Sequence, residues 1–157
     1  MRRFTASVVA MMVVLFAAGV FAQAKPDFSG KWVMDPASAP AAPGGGGRGG
    51  RGGGPGFGME FTAAQTPAVL TITRMQGGME VKAVYNLDGS ESKNSAPGRG
   101  GAAVEQVSKA AWDGAKLVIT TTVNDMEQKR TLSLEGGNLA VEQTTPNGPV
   151  KVVYKKG

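Results

Sequence analysis

The sequence predicts an all-β fold, in which about eight short strands form an antiparallel up-and-down meander that closes into a small barrel. Apolar and polar residues alternate along short segments, which is the pattern of half-buried strands. Asp-Gly, Gly-Gly and Asn-Gly dipeptides separate many of these segments and provide the positive φ that tight hairpin turns need. No segment after residue 24 keeps a helical period. Closure removes exposed strand edges, so a barrel is favoured, with a two-sheet β-sandwich as the alternative.

The alternating segments define the strands in order along the chain. The predicted strands cover 28–34, 68–75, 79–87, 104–112, 116–123, 128–134, 138–144 and 150–155. Residues 116–123 carry the strongest strand signal, because β-branched residues dominate them. The residues predicted to fill the core are Trp32, Leu70, Ile72, Leu117, Ile119, Leu132 and Leu139.

Two segments lack this alternation. Residues 36–58 begin with a Pro/Ala-rich run and continue as a low-complexity Gly-rich run that contains Arg48 and Arg51. Only Phe57 in the Gly-rich run can bury apolar surface, so 36–58 is predicted to be a disordered loop. A second, shorter Gly-rich loop is predicted over 95–101.

The first 24 residues have the pattern of a signal peptide. Arg2 and Arg3 precede an apolar run over 8–18, and Ala22-Gln23-Ala24 supplies the small residues of a cleavage site. The apolar run is short for a membrane span, so no stable membrane insertion is expected after cleavage. The mature chain is therefore predicted to be one domain over 25–157, exported to the periplasm or the extracellular space, and a monomer.

The composition excludes many catalytic and metal sites. The chain has no Cys and no His, which rules out disulfides, zinc–thiolate sites, Ser-His-Asp triads and imidazole bases. The acidic residues are scattered, and Asp88 and Asp113 lie in Asp-Gly turns. No catalytic residue, metal site or cofactor is therefore predicted, and the protein is not expected to be an enzyme.

The two arginines of the Gly-rich run are similar to a short RGG box, which binds RNA in other proteins. An exported chain rarely meets RNA, and Arg48 and Arg51 are only two arginines. No nucleic-acid partner is predicted, and a flexible segment is the simpler interpretation.

Several short motifs resemble the calycin superfamily, which includes lipocalins and fatty-acid-binding proteins. Asp27 to Trp32 is similar to the Gly-x-Trp opening of that superfamily. The later motifs follow the order of the fatty-acid-binding branch: Trp112 to Leu117, Arg130-x-Leu132, Gly137-x-Leu139 and Val152 to Lys155. The resemblance covers 25–35 and 68–156 and is closest to small lipocalin-like proteins exported by bacteria.

The resemblance implies a barrel that holds a small molecule, but the chain departs from the family at two places. The helical lid of the fatty-acid-binding proteins is replaced by the 36–58 segment. Their terminal Arg-x-Tyr, which grips a carboxylate, corresponds here to Val152 and Tyr154. Lys151 lies one residue away and therefore on the other face of the strand. An apolar or neutral ligand thus fits better than a fatty acid.

Four residues are candidates for ligand contact: Arg130, Tyr154, Trp32 and Tyr85. For the three aromatic residues the alternative is a structural role, with Trp32 in the core and each Tyr hydroxyl bonded to a backbone carbonyl or lying at the rim. Arg130 has the parity of Leu132 and Leu134, so it is expected to point inward while Lys129 faces water. The resemblance implies that Trp32 closes the barrel floor, and Arg130 is expected to stack on it or to hold an anionic ligand.

Two functions remain open from the sequence. The first is an exported, non-enzymatic barrel that binds a small hydrophobic ligand. The second is a structural or interaction protein of the cell envelope, with a filled barrel and a flexible Gly/Arg loop. An internal cavity of about 300 Å³ or more favours the first function, and a solidly packed core favours the second.

Overall fold

The computed structural model describes residues 24–39, 56–97, 102–145 and 148–157. The described part contains ten strands: β1 Gly30–Met34, β2 Glu60–Gln65, β3 Val69–Gln76, β4 Met79–Asn86, β5 Glu91–Pro97, β6 Ala103–Asp113, β7 Lys116–Val123, β8 Met126–Glu135, β9 Asn138–Thr145 and β10 Gly148–Lys156. The all-β prediction is confirmed, with two more strands than expected. The predicted signal peptide, apart from Ala24, lies outside the described residues.

The strands form one antiparallel meander. Each strand pairs with the next strand in sequence, with one exception. β4 and β5 do not pair through their backbones, because they lie at opposite ends of the sheet order. The sheet curls because β4 and β5, which follow each other closely in the chain, lie at its two ends. In the middle of the sheet, β1 pairs with both β10 and β2, so that Trp32 lies opposite Lys156 on one side and opposite Phe61 on the other. The result is a nearly closed barrel rather than a two-sheet sandwich.

Side chains connect β4 to β5 where the backbone ladder is missing. The backbone nitrogen of Val84 donates to Oδ1 of Asn94 at 2.7 Å, and Nδ2 of Asn94 donates to the Val84 carbonyl at 2.9 Å. Nearer the connecting turn, Nδ2 of Asn86 donates to the Glu91 carbonyl at 3.0 Å. These bonds hold the two ends of the sheet side by side.

The barrel interior is filled by the inward-facing residues of the strands. All seven residues predicted for the core are buried: Trp32, Leu70, Ile72, Leu117, Ile119, Leu132 and Leu139. Phe28, Phe61, Tyr85 and Tyr154 belong to the same buried cluster. Within the described residues, no helix has the length and hydrophobicity needed to cross a bilayer.

The predicted hairpin chemistry is present at the turns. Gly77 and Gly78 have φ values of 61° and 81°, and Gly136 and Gly137 have 57° and 84°. Two successive positive φ angles are typical of the type I′ turn, which matches the twist of antiparallel strands. The Gly-Gly pairs therefore determine where β3 and β8 end.

Two strands were missed in the sequence because neither alternates clearly. β2 has Phe61 and Ala63 as its buried residues, followed by Ala64 and Gln65, and β5 is almost entirely polar. The shorter Gly-rich loop was placed too early, since its first residues 95–97 belong to β5. Polar strands of this kind escape detection because their inward side chains form hydrogen bonds instead of apolar contacts: Oγ of Ser92 donates to the Ser108 carbonyl at 3.2 Å.

The segment 36–58 is ordered at both described ends, so the boundaries predicted for a disordered loop are too wide. Pro36–Ser38 forms a 3-10 helix capped by Asp35. Oγ of Ser38 accepts from the Val153 backbone nitrogen at 2.9 Å, which ties this turn to β10. At the other end, Phe57 is 2% exposed. Residues 40–55 lie outside the described part of the chain.

Candidate functional site

Arg130 lies on the inner face of β8, as its parity predicts. Leu132 is buried on the same face, Arg130 is half-buried, and Lys129 is exposed on the outer face. Leu134 departs from the expectation: it is 38% exposed, because β8 ends there and its last residues leave the core. The guanidinium of Arg130 is therefore placed inside the barrel.

The partners of Arg130 are neutral. Its Nε donates to Oε1 of Gln143 at 3.2 Å, and its Nη2 donates to Oε1 of Gln128 at 3.3 Å. The guanidinium carbon lies 5.6 Å from the centre of the Phe57 ring, a distance at which a cation and an aromatic face attract. The expected stacking on Trp32 is wrong: the cation over Trp32 is Lys156, at 5.7 Å.

The ion pairs of the described residues all lie on the surface and do not include Arg130. Burial lowers the pKa of Arg130 from its ordinary value, while the phenols of Tyr85 and Tyr154 act in the opposite direction. The nearby charge of Arg74 also lowers this pKa. An arginine remains charged even so, and the interior therefore carries a cation whose contacts are amides and rings.

Tyr154 is buried on the inner face of β10, and its hydroxyl holds the segment that precedes β2. The hydroxyl accepts from the Phe57 backbone nitrogen at 3.0 Å and donates to the Gly58 carbonyl at 3.0 Å. Burial raises the pKa of Tyr154, so the hydroxyl is protonated and available as a donor. Arg130 and Tyr154 thus approach the same short segment from two strands.

Tyr85 and Trp32 take different positions. Tyr85 is buried on β4, and burial raises its pKa while the charges of Arg130 and Arg74 lower it, so its phenol faces the same charged interior. Trp32 is fully buried on β1, and its indole nitrogen donates to the Phe28 carbonyl at 2.8 Å. The structure thus places Arg130, Tyr154 and Tyr85 in the barrel interior, whereas the polar atom of Trp32 is bonded to the backbone.

Sequence analysis missed three residues of this region. Gln143 is buried on β9, and its Oε1 accepts from both Arg130 and the Gly56 backbone nitrogen, the latter at 3.2 Å. Its parity with Leu139 and Val141 is a signal that could have placed it inside. Arg74 has the parity of the buried Ile72, which is the same kind of signal. Phe57 carried no periodic signal, because it lies among glycines.

Among the clefts on the described surface, two have linings that do not include Arg130, Tyr154 or Phe57. One, of about 410 Å³, lies beside Lys25 and Trp112. The other, of about 300 Å³, lies between the diverging ends of β4 and β5. Among the described residues no three acidic, His or Cys side chains gather in a way that could hold a metal ion.

Comparisons with known proteins give structural relatives only. No family model matches the sequence, and no curated protein matches it. A mutant of the fluorescent protein UnaG superposes with a TM-score of 0.56 at 18% identity, covering 83% of this chain and 96% of that one. The REP1-NXSQ fatty acid transporter superposes with a TM-score of 0.56 at 10% identity, covering 82% of this chain and 95% of that one. Human cRBP IV superposes with a TM-score of 0.55 at 14% identity, covering 84% of this chain and 99% of that one. At these identities the likeness shows the fold alone: the chain has the barrel fold of these solved structures.

Proposed function

We propose that the chain binds a small, mainly apolar molecule inside its barrel, with a hydrogen-bond acceptor of that molecule held by Arg130 and Tyr154, and that it does so without catalysis. The observation that carries this proposal is the inward guanidinium of Arg130, whose described partners are neutral. Placing a cation among buried residues costs free energy, and an apolar side chain would fill the same space at lower cost. A ligand acceptor supplies a reason to keep the arginine.

The nature of the ligand follows from the interior. Most of the inward side chains are aliphatic or aromatic, so the body of the ligand must be apolar. The polar end meets the phenol of Tyr154 and the guanidinium of Arg130, with the charge of Arg74 nearby, while Val152 stands where the fatty-acid-binding family has the arginine of its Arg-x-Tyr motif. A carbonyl or a single carboxylate suits this pair. One of the structural relatives is a fatty acid transporter, which is consistent with such a ligand.

The direct test measures binding of 1-anilinonaphthalene-8-sulfonate by fluorescence and its displacement by dodecanoate. We expect Arg130→Met to weaken both by about tenfold or more, the range for a lost charge-assisted hydrogen bond. Lys129→Met is the matched control, since Lys129 is the outward neighbour of Arg130 on the same strand. Equal binding by the two variants contradicts the proposal.

The second candidate function is a structural or interaction protein with a filled barrel. The burial of Phe57 among the core aromatics supports it, because this ring occupies space that a ligand would need. Native mass spectrometry of the purified protein separates the two functions. A co-purifying lipid-like mass supports the binding function, and its absence together with silent titrations supports the filled barrel.

We propose further that residues 1–24 are removed on export and that the mature chain acts as a monomer that binds no nucleic acid. The support is the sequence pattern of basic, apolar and small residues described above. Intact-mass measurement of the protein from the periplasm or the medium is expected to give a chain that begins at Lys25. Cytoplasmic protein that retains residues 1–24 contradicts export.

A further inference from the structure

The segment Gly56–Gly58 enters the barrel, with Gly56 and Phe57 buried and Gly58 exposed, and makes the polar contacts that a ligand there would make. The Gly56 backbone nitrogen donates to Oε1 of Gln143 at 3.2 Å. The Phe57 nitrogen donates to the Tyr154 hydroxyl at 3.0 Å, and the same hydroxyl donates to the Gly58 carbonyl at 3.0 Å. One backbone group from each of three consecutive residues is therefore held by a side chain of β9 or β10 rather than by a strand ladder.

The Phe57 ring fills the apolar part of the same place. Its centre lies 5.1 Å from that of Phe61, and Phe61 in turn lies 5.0 Å from Tyr154 in an edge-to-face arrangement. The guanidinium of Arg130 covers the ring at 5.6 Å. The ring thus lies between the Phe61 ring and the guanidinium of Arg130, where a planar ligand would gain most.

We propose that Gly56–Gly58, here called the internal plug, is a built-in occupant of the ligand site, and that a ligand enters only by displacing it. This inference rests on the proposed function. The contacts of the plug also indicate the ligand class: a planar aromatic ring bonded close to a carbonyl or carboxylate acceptor. The ring replaces Phe57 against Phe61, and the acceptor takes the hydroxyl proton that Tyr154 now donates to Gly58.

The two ends of the plug are glycines, whose backbone freedom permits both the seated conformation and a displaced one. Gly56 has φ 88° and Gly58 has φ 102°, conformations that other residues adopt only with strain. Since the plug is part of the same chain, it competes at a high effective concentration. The apparent ligand affinity is then reduced by the fraction of molecules in which the site is open. Any change that expels the plug raises that affinity.

A matched pair of glycine substitutions tests this competition. A Cβ at Gly56 would collide with the Tyr154 hydroxyl, whereas a Cβ at Gly58 meets nothing within 4 Å. Both positions have positive φ, so both substitutions bring similar backbone strain, and only Gly56→Ala brings the collision. We expect Gly56→Ala to raise the affinity for 1-anilinonaphthalene-8-sulfonate to about tenfold above that of Gly58→Ala, which brings the backbone strain without the collision. Phe57→Ala, which removes the ring itself, is the second opening variant.

A measurement on the unchanged protein gives an independent readout. Chymotrypsin cleaves after phenylalanine, and Phe57 is buried while the plug is in place. We expect 1-anilinonaphthalene-8-sulfonate to accelerate cleavage after Phe57, which is opposite to the protection that ligands normally give. Arg130→Met in the Gly56→Ala background is expected to abolish the gain in dye binding, which excludes dye bound to a loosened core.

The outcomes separate the plug from the proposed function. In one outcome, dye binding depends on Arg130, but Phe57 stays protected from chymotrypsin and Gly56→Ala binds no more tightly. This outcome contradicts the proposal that the plug occupies the ligand site, and it leaves the proposed function standing. If Gly56→Ala exposes Phe57 to chymotrypsin while neither protein binds dye or dodecanoate, the interior is not a ligand site, and both proposals fall. Faster cleavage with dye and a gain in affinity for Gly56→Ala support both.

Discussion

The side-chain amide of Asn94 forms two hydrogen bonds with the backbone of Val84, donating to its carbonyl at 2.9 Å and accepting from its nitrogen at 2.7 Å. A peptide group of a neighbouring strand would make the same pair of bonds with Val84. One side chain thus replaces a rung of the missing ladder between β4 and β5. The bonds lie where the two ends of the sheet meet.

Asn94→Ala is expected to lower the free energy of unfolding by about 1–3 kcal/mol, because the Val84 nitrogen and carbonyl both lose their partner in a half-buried place. Urea unfolding measures the change, and amide exchange at Val84 is expected to accelerate. Lys93→Ala is the control: its side chain is 69% exposed and forms a surface ion pair, so it should cost about 0.5 kcal/mol or less. Equal costs for the two variants would mean that the amide does not bridge the strands.

The two tryptophans are expected to differ on conversion to phenylalanine. Trp32→Phe removes the bond to the Phe28 carbonyl, leaves that carbonyl without its partner and opens a small cavity, for a cost of about 2–4 kcal/mol. The buried indole nitrogen of Trp112 has no hydrogen-bond partner among the described residues. Trp112→Phe removes this unsatisfied donor and should change stability by less than about 1 kcal/mol. Thermal or urea unfolding of both variants checks the contrast, and a larger loss at Trp112 would contradict it.

Phe57 is expected to stabilise the ligand-free protein despite its position in a Gly-rich segment. Phe57→Ala should lower the free energy of unfolding by about 3 kcal/mol, since the ring is buried against Phe61. Met59→Ala, at a neighbouring residue that is 70% exposed, should stay within about 0.5 kcal/mol. For the same reason, deletion of 38–57 is expected to lower the melting temperature by more than a few degrees. Unfolding curves of the three variants test this together.

Asp35 is expected to make the free energy of unfolding depend on pH in the acidic range. Hydrogen bonding and ion pairing with Lys155, together with the bond from the Ala37 nitrogen, lower the pKa of Asp35 below its ordinary 3.8. A carboxyl whose pKa is lowered by folding stabilises the folded state above its ordinary pKa and loses that contribution as the pH falls through the lowered value. Asp35→Asn should therefore reduce stability at pH 7, and the difference from the unchanged protein should shrink as the pH falls below 3.8. Urea unfolding over this pH range measures the change, and a difference that does not depend on pH would contradict the prediction.

The sequence was sufficient for eight of the ten strands and for the direction of Arg130, because both follow from alternation. Leu132 places Arg130 inside, and Lys129 outside, whatever the rest of the barrel does. The aromatic partner of Arg130, Phe57, could not be predicted in this way. Its position depends on how Gly56–Gly58 enters the barrel, and an aromatic residue among glycines has no period that predicts which way it faces.

Strand β5 illustrates a second limit. Ser92 and Asn94 face other strands and satisfy their polarity there, so a segment that reads as a polar connection is in fact a strand. Burial of polar residues becomes visible only when their partners are known. Gln143 is intermediate: its parity places it inside, but its contact with the Gly56 nitrogen required the structure.

The pairing of β1 with β10 has a consequence for the order of folding. The other pairs in the sheet order join strands that are neighbours in sequence and can form locally, whereas Trp32 belongs to the first strand, β1, and Lys156 to the last, β10. Closing so large a loop is slow and comes at a high entropic cost, so this seam is expected to form after the hairpins. A weakened seam should then accelerate unfolding far more than it slows folding. The pairing of β1 with β10 thus governs the rate at which the folded barrel unfolds.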